Sequence, residues 1–272
     1  MKKVIKTSAI LLASLSTATI LGGGVASAAT PASYNSKATV EFVPNNSITP
    51  PVDPENPDIT NPVTPVDPED PTKPVAPGTA GPLSIDFASS LSFGQQTISS
   101  GDTTYFAHPQ VLEDSTGNKT SKENYVQVTD SRGTFEGWTL SVKSDGQFRL
   151  AGADVASTAP GDVLTGARLE FDKGHVNAPT GIDSSVTPST VTNSKIEVSP
   201  ADTVLVAAKA NEGMGTWIYG LGTSADYDAS ATTASDIATK APITLTVPGS
   251  TTKKADTYTT NLIWTLSNTP GN

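Results

Sequence analysis

Residues 132–142 read RGTFEGWTLSV and residues 261–272 read NLIWTLSNTPGN, so the tetrapeptide WTLS stands at Trp138–Ser141 and again at Trp264–Ser267. Two of the three tryptophans of this 272-residue chain lie in it. In an extended strand, residues two apart share a face. Trp138, Leu140 and Val142 therefore point one way, and Thr139, Ser141 and Lys143 the other. Likewise Leu262, Trp264 and Leu266 form a stripe opposed by Ile263, Thr265 and Ser267. A large ring beside a branched side chain on one face is what a half-buried strand needs, each tryptophan covering roughly 200 Å². Two readings stay open. The stripes pack a core, or they are an exposed aromatic platform for sugar rings, with Trp217 and Tyr219 as further members.

Working outward, the same alternation between Gly, Pro, Asn, Asp and Ser clusters predicts strands at 83–87, 103–108, 125–130, 137–143, 167–172, 195–198, 203–210, 215–220, 243–248 and 258–267. Residues 204–213 could supply a helical turn, and 224–240 reads as loop. The expected fold is all-β, a single β-sandwich or barrel-like domain of about ten short strands over residues 83–272. Upstream, SKATVEFVP (36–44) alternates Val40 and Phe42 with Thr39 and Glu41, a further strand that should join the same sheet. Between them lies a Pro/Asp-rich stretch, Pro44 to Pro82, in which PVDPE occurs at Pro51 and at Pro65. Proline fixes φ and lacks a donor, so this linker or loop is expected to be extended and polyproline-like, a spacer or a docking peptide. At ~3.1 Å per residue it would reach on the order of 100 Å.

The first 28 residues have the order of a secretory signal: Lys2, Lys3 and Lys6, an apolar run to Leu21, and a small-residue cleavage site at Ala26-Ser27-Ala28. The divisions expected are thus 1–28 signal peptide, 29–82 strand plus linker, and 83–272 β-domain. No later segment reads as a membrane span. Cysteine is absent, which excludes disulfides, thiolate metal sites and a lipidated cysteine. The C-terminal residues carry no sorting signal of the LPxTG type, so a covalent wall anchor is not expected. The net charge is −10, and loss of the three signal lysines leaves 14 basic against 27 acidic side chains, or −13. Nucleic acid is an unsuitable partner at that charge. Wall polyanions would be repelled as well, so any wall affinity has to come from short-range contacts.

The chemistry-bearing patterns are sparse. His108 and His175 are the two histidines, each alone among polar or turn residues, and no metalloprotease, P-loop or dinucleotide motif occurs. EDSTGNKTSKEN (113–124) has oxygen-ligand character without the order of a calcium hand. Neither catalysis, nor a cofactor, nor a metal is expected.

The second tryptophan copy reads Tyr258-x-x-x-Leu262-x-Trp264-x-Leu266-x-x-x-Pro270, which resembles the distal signature of the WxL domain. The first, in VTDSRGTFEGWTLSV (128–142), resembles its proximal signature, and GPLSIDFASSLSFG (81–94) fits the same pattern. The resemblance implies a surface protein of low-GC Gram-positive bacteria that attaches non-covalently to the cell wall with peptidoglycan as ligand. It also implies assembly with other WxL-associated surface proteins. By the same resemblance Trp138, Leu140, Tyr258, Leu262, Trp264, Leu266 and Pro270 are the motif residues. The alternative is an interaction subunit of a surface complex, held on the wall by its partners.

Overall fold

The computed structural model describes residues 31–271, so the expected signal segment lies outside the described residues. The chain divides into two units, Met1–Glu41 and Phe42–Asn272. Residues 31–41 contain no helix or strand. The second unit holds β1 (Thr64–Pro65), β2 (Leu83–Ala88), β3 (Thr103–Phe106), β4 (Gln110–Glu113), β5 (Lys119–Lys122), β6 (Asn124–Asp130), β7 (Trp138–Ser144), β8 (Arg149–Leu150), β9 (Arg168–Phe171), β10 (Gly174–Asn177), β11 (Thr190–Val191), β12 (Ile196–Val198), β13 (Thr203–Ala208), β14 (Gly215–Leu221), β15 (Thr244–Val247), β16 (Tyr258–Thr259) and β17 (Leu262–Ser267).

The protein is all-β, with 32% strand and 2% helix. The single sandwich or barrel is corrected, because the strands fall into small antiparallel sheets. Three have four strands, in the orders β10-β14-β6-β2, β11-β13-β7-β17 and β12-β9-β15-β3. Two smaller ones run β1-β4-β5 and β16-β8. All three four-stranded sheets feed one apolar core. Val126, Val128, Trp217 and Leu221 come from the first, Trp138, Leu140, Val142 and Leu205 from the second, and Leu169, Phe171 and Val198 from the third. Sharing one core among three short sheets exposes many edges, and tight turns and side-chain bonds finish them.

Two expectations about the N-terminal third change. Residues 39–42 lie in no strand, and Phe42 is 89% exposed. Alternation specifies a face, but a strand also needs a free edge, and the outer edge of β2 is occupied. Thr79 N–H donates to the Ile85 carbonyl at 2.8 Å, and Ile85 N–H donates to Thr79 Oγ1 at 2.9 Å. The Pro/Asp-rich stretch is no free spacer either. From Pro50 onward it is a strap laid across the outer face of the β10-β14-β6-β2 sheet. Gln127 of β6 holds it with one amide, as Val52 N–H donates to Oε1 at 2.9 Å and Nε2 donates to the Pro50 carbonyl at 3.0 Å. Nε2 also donates to the Asp86 carboxylate at 3.0 Å, which accepts from Thr129 at 2.6 Å and Ser84 at 2.7 Å. Val52 packs with Phe87, Leu112, Tyr125 and Ile218 in a second core. Farther on, Thr64 and Pro65 pair with Glu113 and Leu112, an edge position that proline tolerates. The strap is poor in backbone donors, and side chains of the domain such as Gln127 complete its bonding.

Candidate functional site

The two WTLS copies lie on neighbouring strands. β7 and β17 run antiparallel with Leu140 opposite Leu266 and Val142 opposite Trp264, while Thr139 faces Ser267 and Ser141 faces Thr265. The tetrapeptides are thus paired about their leucines, with tryptophans and leucines on the inner face and hydroxyls on the outer one.

Inside, the copies differ. β7 is central, flanked by β13 and β17, and Trp138 is only 1% exposed, with its indole Nε1–H donating to the Gly213 carbonyl at 2.8 Å. Gly213 has φ +77°, and a Cβ there would sit 2.3 Å from that indole nitrogen, so the close fit requires glycine. β17 is an edge strand. Leu262, Trp264 and Leu266 reach the same core but stay half-buried, and Trp264 stacks on Phe171 with ring centroids 6.2 Å apart and planes at 16°. The remaining aromatic candidates are not surface platforms. Trp217 is buried, and its Nε1–H donates to the Met214 carbonyl at 3.1 Å. Tyr219 is buried too, donating to the Thr192 carbonyl at 2.8 Å, and burial pushes its phenol pKa up. Tyr258 belongs to the separate β16-β8 pair, where its hydroxyl donates to the Gly161 carbonyl at 2.6 Å and accepts from Lys254 N–H at 2.7 Å. Pro270 is exposed in the terminal turn.

Outside, the hydroxyls divide into two rows. Thr139 Oγ1 donates to the Thr269 carbonyl at 2.9 Å and Ser267 Oγ donates to Thr269 Oγ1 at 3.0 Å, so this pair fastens the terminal turn. Gly271 N–H completes it by donating to the Ala208 carbonyl at 2.9 Å. The next row is Val204, Ser141 and Thr265, aligned across β13, β7 and β17. Val204 and Thr265 are exposed, and neither Ser141 nor Thr265 has a side-chain hydrogen bond among the described residues. Beside it Ile263 stands opposite Lys143, whose ammonium is paired with Asp202 at 3.3 Å. The result is a strip of free hydroxyls and aliphatic groups with one, already neutralised, cation. The alternation that turns Trp138 and Leu140 inward turns Thr139 and Ser141 outward, and that is the signal in the sequence for this row.

The strap face offers a different environment. A groove of about 1200 Å³ lies under its loop, lined by Asp53, Glu55, Asp58 and Asp114 against Lys122. Lys122 Nζ bridges Asp53 and Glu55, each at 2.9 Å. Asp114, in the segment with oxygen-ligand character, spends its carboxylate on the β4–β5 turn, accepting from Thr116 N–H at 2.8 Å and Asn118 N–H at 3.0 Å. No group of three or more His, Asp or Glu side chains suited to a metal occurs among the described residues. Nearby, the fully buried Glu123 has His175 Nε2 at 3.4 Å. Gly220 makes room for that pair, since a Cβ there would lie 2.2 Å from Glu123 Oε1. Burial raises the Glu123 pKa, and the neighbouring Glu123 carboxylate raises that of His175. The other histidine, His108, is buried with Nε2 3.1 Å from the Asp236 carbonyl oxygen, and burial lowers its pKa.

Comparison with curated proteins and with solved structures finds no match in either. A family model does match, over residues 29–270, and spans both tryptophan strands, the strap and the terminal turn. The chain therefore belongs to the family described as WxL domain surface cell wall-binding.

Proposed function

We propose that this cell-wall-binding surface protein is exported by its first 28 residues and grips peptidoglycan non-covalently and without catalysis, through the outer face of β13, β7 and β17. One observation carries the reading. The tetrapeptides commit their tryptophans and leucines to the core and leave Ser141 and Thr265 as unpartnered hydroxyls on an exposed, nearly uncharged strip. Hydroxyls meet the polar groups of a glycan strand, and Val204 and Ile263 meet its apolar ring faces. A strip without free charge also suits a chain of −13 at a polyanionic wall, because short-range contacts survive where bulk electrostatics oppose approach. The test is sedimentation of the purified chain with bare peptidoglycan sacculi across a salt series. Binding should hold or strengthen as salt screens the repulsion. A steep loss with salt contradicts the reading, and release of soluble sugar contradicts its non-catalytic part.

A second reading, an interaction subunit held on the wall by other surface proteins, is supported by the acidic groove under the strap. Its lining suits a polypeptide better than a polyanionic wall. A chain that pellets with sacculi only when companion proteins are added would favour this alternative.

A further inference from the structure

We propose that the hollow between residues 157–161 and 250–252 binds a sugar acid, taking its carboxylate on Arg149 and its hydroxyls on the hydroxyl groups of the rim. The hollow has a volume of about 440 Å³, and Arg149, Thr158, Gly161, Thr165, Ser250 and Thr252 line it. Arg149 is half-buried and held by one nitrogen. Its Nη1 donates to the Ser157 carbonyl at 2.9 Å and to the Asp154 carbonyl at 3.3 Å, while Nε and Nη2 have no partner among the described residues. The neighbouring Asp162 carboxylate is already engaged by Lys254 Nζ and Ser157 Oγ. Two parallel N–H donors on the free edge of a fixed guanidinium match the two oxygens of a carboxylate. A ligand with a single negative charge also suits a chain of net charge −10 better than a polyphosphate does, because one local cation has less repulsion to overcome.

The rim supplies the rest. Thr158, Thr165, Ser250 and Thr252 are exposed, and their hydroxyls make no hydrogen bond among the described residues. Each can donate and accept, as a sugar hydroxyl does, so the two sets meet in kind. The walls are fixed in advance. The Tyr258 hydroxyl donates to the Gly161 carbonyl at 2.6 Å and accepts from Lys254 N–H at 2.7 Å, and Thr251 Oγ1 donates to the Thr165 carbonyl at 2.7 Å. Gly161 has φ +83°, and a Cβ there would lie 3.0 Å from Lys254 Cγ, so glycine lets the two loops approach. The β16-β8 ladder pairs Tyr258 with Leu150 and Thr259 with Arg149, and so sets the tyrosine and the guanidinium together. Tyr258, a motif residue outside the core that holds both tryptophans, thus clamps the walls of the hollow. A site ordered before its ligand arrives loses little freedom on binding. The hollow shares no residue with the outer strip of β13, β7 and β17, so either can fail without the other.

The test is an NMR titration of the purified chain with three probes. N-acetylmuramic acid is a pyranose with one carboxylate, N-acetylglucosamine is the same ring without it, and glycerol phosphate offers the other common oxyanion. N-acetylmuramic acid should bind with a dissociation constant on the order of 1 mM, and N-acetylglucosamine at least about tenfold more weakly. Glycerol phosphate should bind more weakly than N-acetylmuramic acid. Arg149→Gln should weaken N-acetylmuramic acid at least about tenfold. Ser250→Ala/Thr252→Val should weaken it about threefold and melt like the natural chain, since those hydroxyls bond to nothing in the fold. If Arg149→Gln melts early because the 154–157 turn is released, the rim variant decides. No binding of N-acetylmuramic acid, equal binding of N-acetylglucosamine, or tighter binding of glycerol phosphate overturns the proposal. So does undiminished binding by the rim variant or by a folded Arg149→Gln chain.

Discussion

The same four residues, WTLS, occupy a central strand and an edge strand of one sheet, and they meet different fates. In β7 the tryptophan is sealed and its indole proton satisfied by a backbone carbonyl; in β17 it leans on Phe171 with one flank open. The pattern within the tetrapeptide sets which side chains face inward. The position of the strand in the sheet sets how deeply they go. One sequence element thus builds a shared core and, from its alternate residues, a shared outer strip.

That contrast breaks most visibly at the rings. Trp138→Ala removes a sealed side chain and a buried hydrogen bond and should cost about 3–5 kcal/mol, measured by chemical denaturation. Trp264→Ala should cost about 1–3 kcal/mol, because less apolar area leaves water at the edge. Equal losses at the two positions would break the distinction between centre and edge. Gln127→Ala probes the strap and not the ribbon. It leaves the Val52 N–H and the Pro50 carbonyl unpartnered for about 1–3 kcal/mol, and proteolysis within residues 50–63 should quicken before the rest of the unit opens.

A smaller effect should appear with pH. Burial raises the Glu123 pKa above its ordinary 4.5, and the Glu123 carboxylate beside it raises that of His175 above 6.5. Folded-state values above the unfolded ones mean stability that is complete below the ordinary pKa and lost as pH rises through the folded one. Both groups therefore favour mildly acidic solution. Glu55 works in the opposite direction. Burial raises its pKa, but the Ser224 N–H and Lys122 outweigh that and hold it low, so its contribution fades as pH falls below the carboxylate range. The melting temperature should decline from pH 6 to pH 8, and Glu123→Gln should flatten that decline. A slope unchanged in the variant would remove the pair from the account.

The strands with clean alternation were legible in the sequence: 83–87, 125–130 and 215–220 correspond to β2, β6 and β14. β5, Lys-Thr-Ser-Lys, and β10, Gly-His-Val-Asn, were not, because short edge strands lying under a strap carry no apolar stripe. The strap departs from a free spacer for a related reason. Proline content correctly says that a segment cannot supply its own ladder, but not that Gln127, 75 residues away from Val52, supplies the bonds instead. Even the repeated PVDPE has a local logic, since Asp53 and Asp67 each accept from the N–H two residues on, turning both copies alike. The paired motif strands could be read as core or platform from sequence. Their register, which puts leucine against leucine and leaves one hydroxyl row free, depends on long-range pairing that periodicity does not encode.

The outer strip should matter least to stability and most to the wall. Ser141 and Thr265 make no side-chain hydrogen bond among the described residues, so Ser141→Ala with Thr265→Val should stay within about 0.5 kcal/mol of the natural chain. The most direct test replaces both by glutamate and measures sedimentation with stripped sacculi beside the melting temperature. The account predicts a variant that melts within a few degrees of the natural chain yet remains in the supernatant while the natural chain pellets. A Ser141→Glu/Thr265→Glu variant that pellets as well as the natural chain would contradict it.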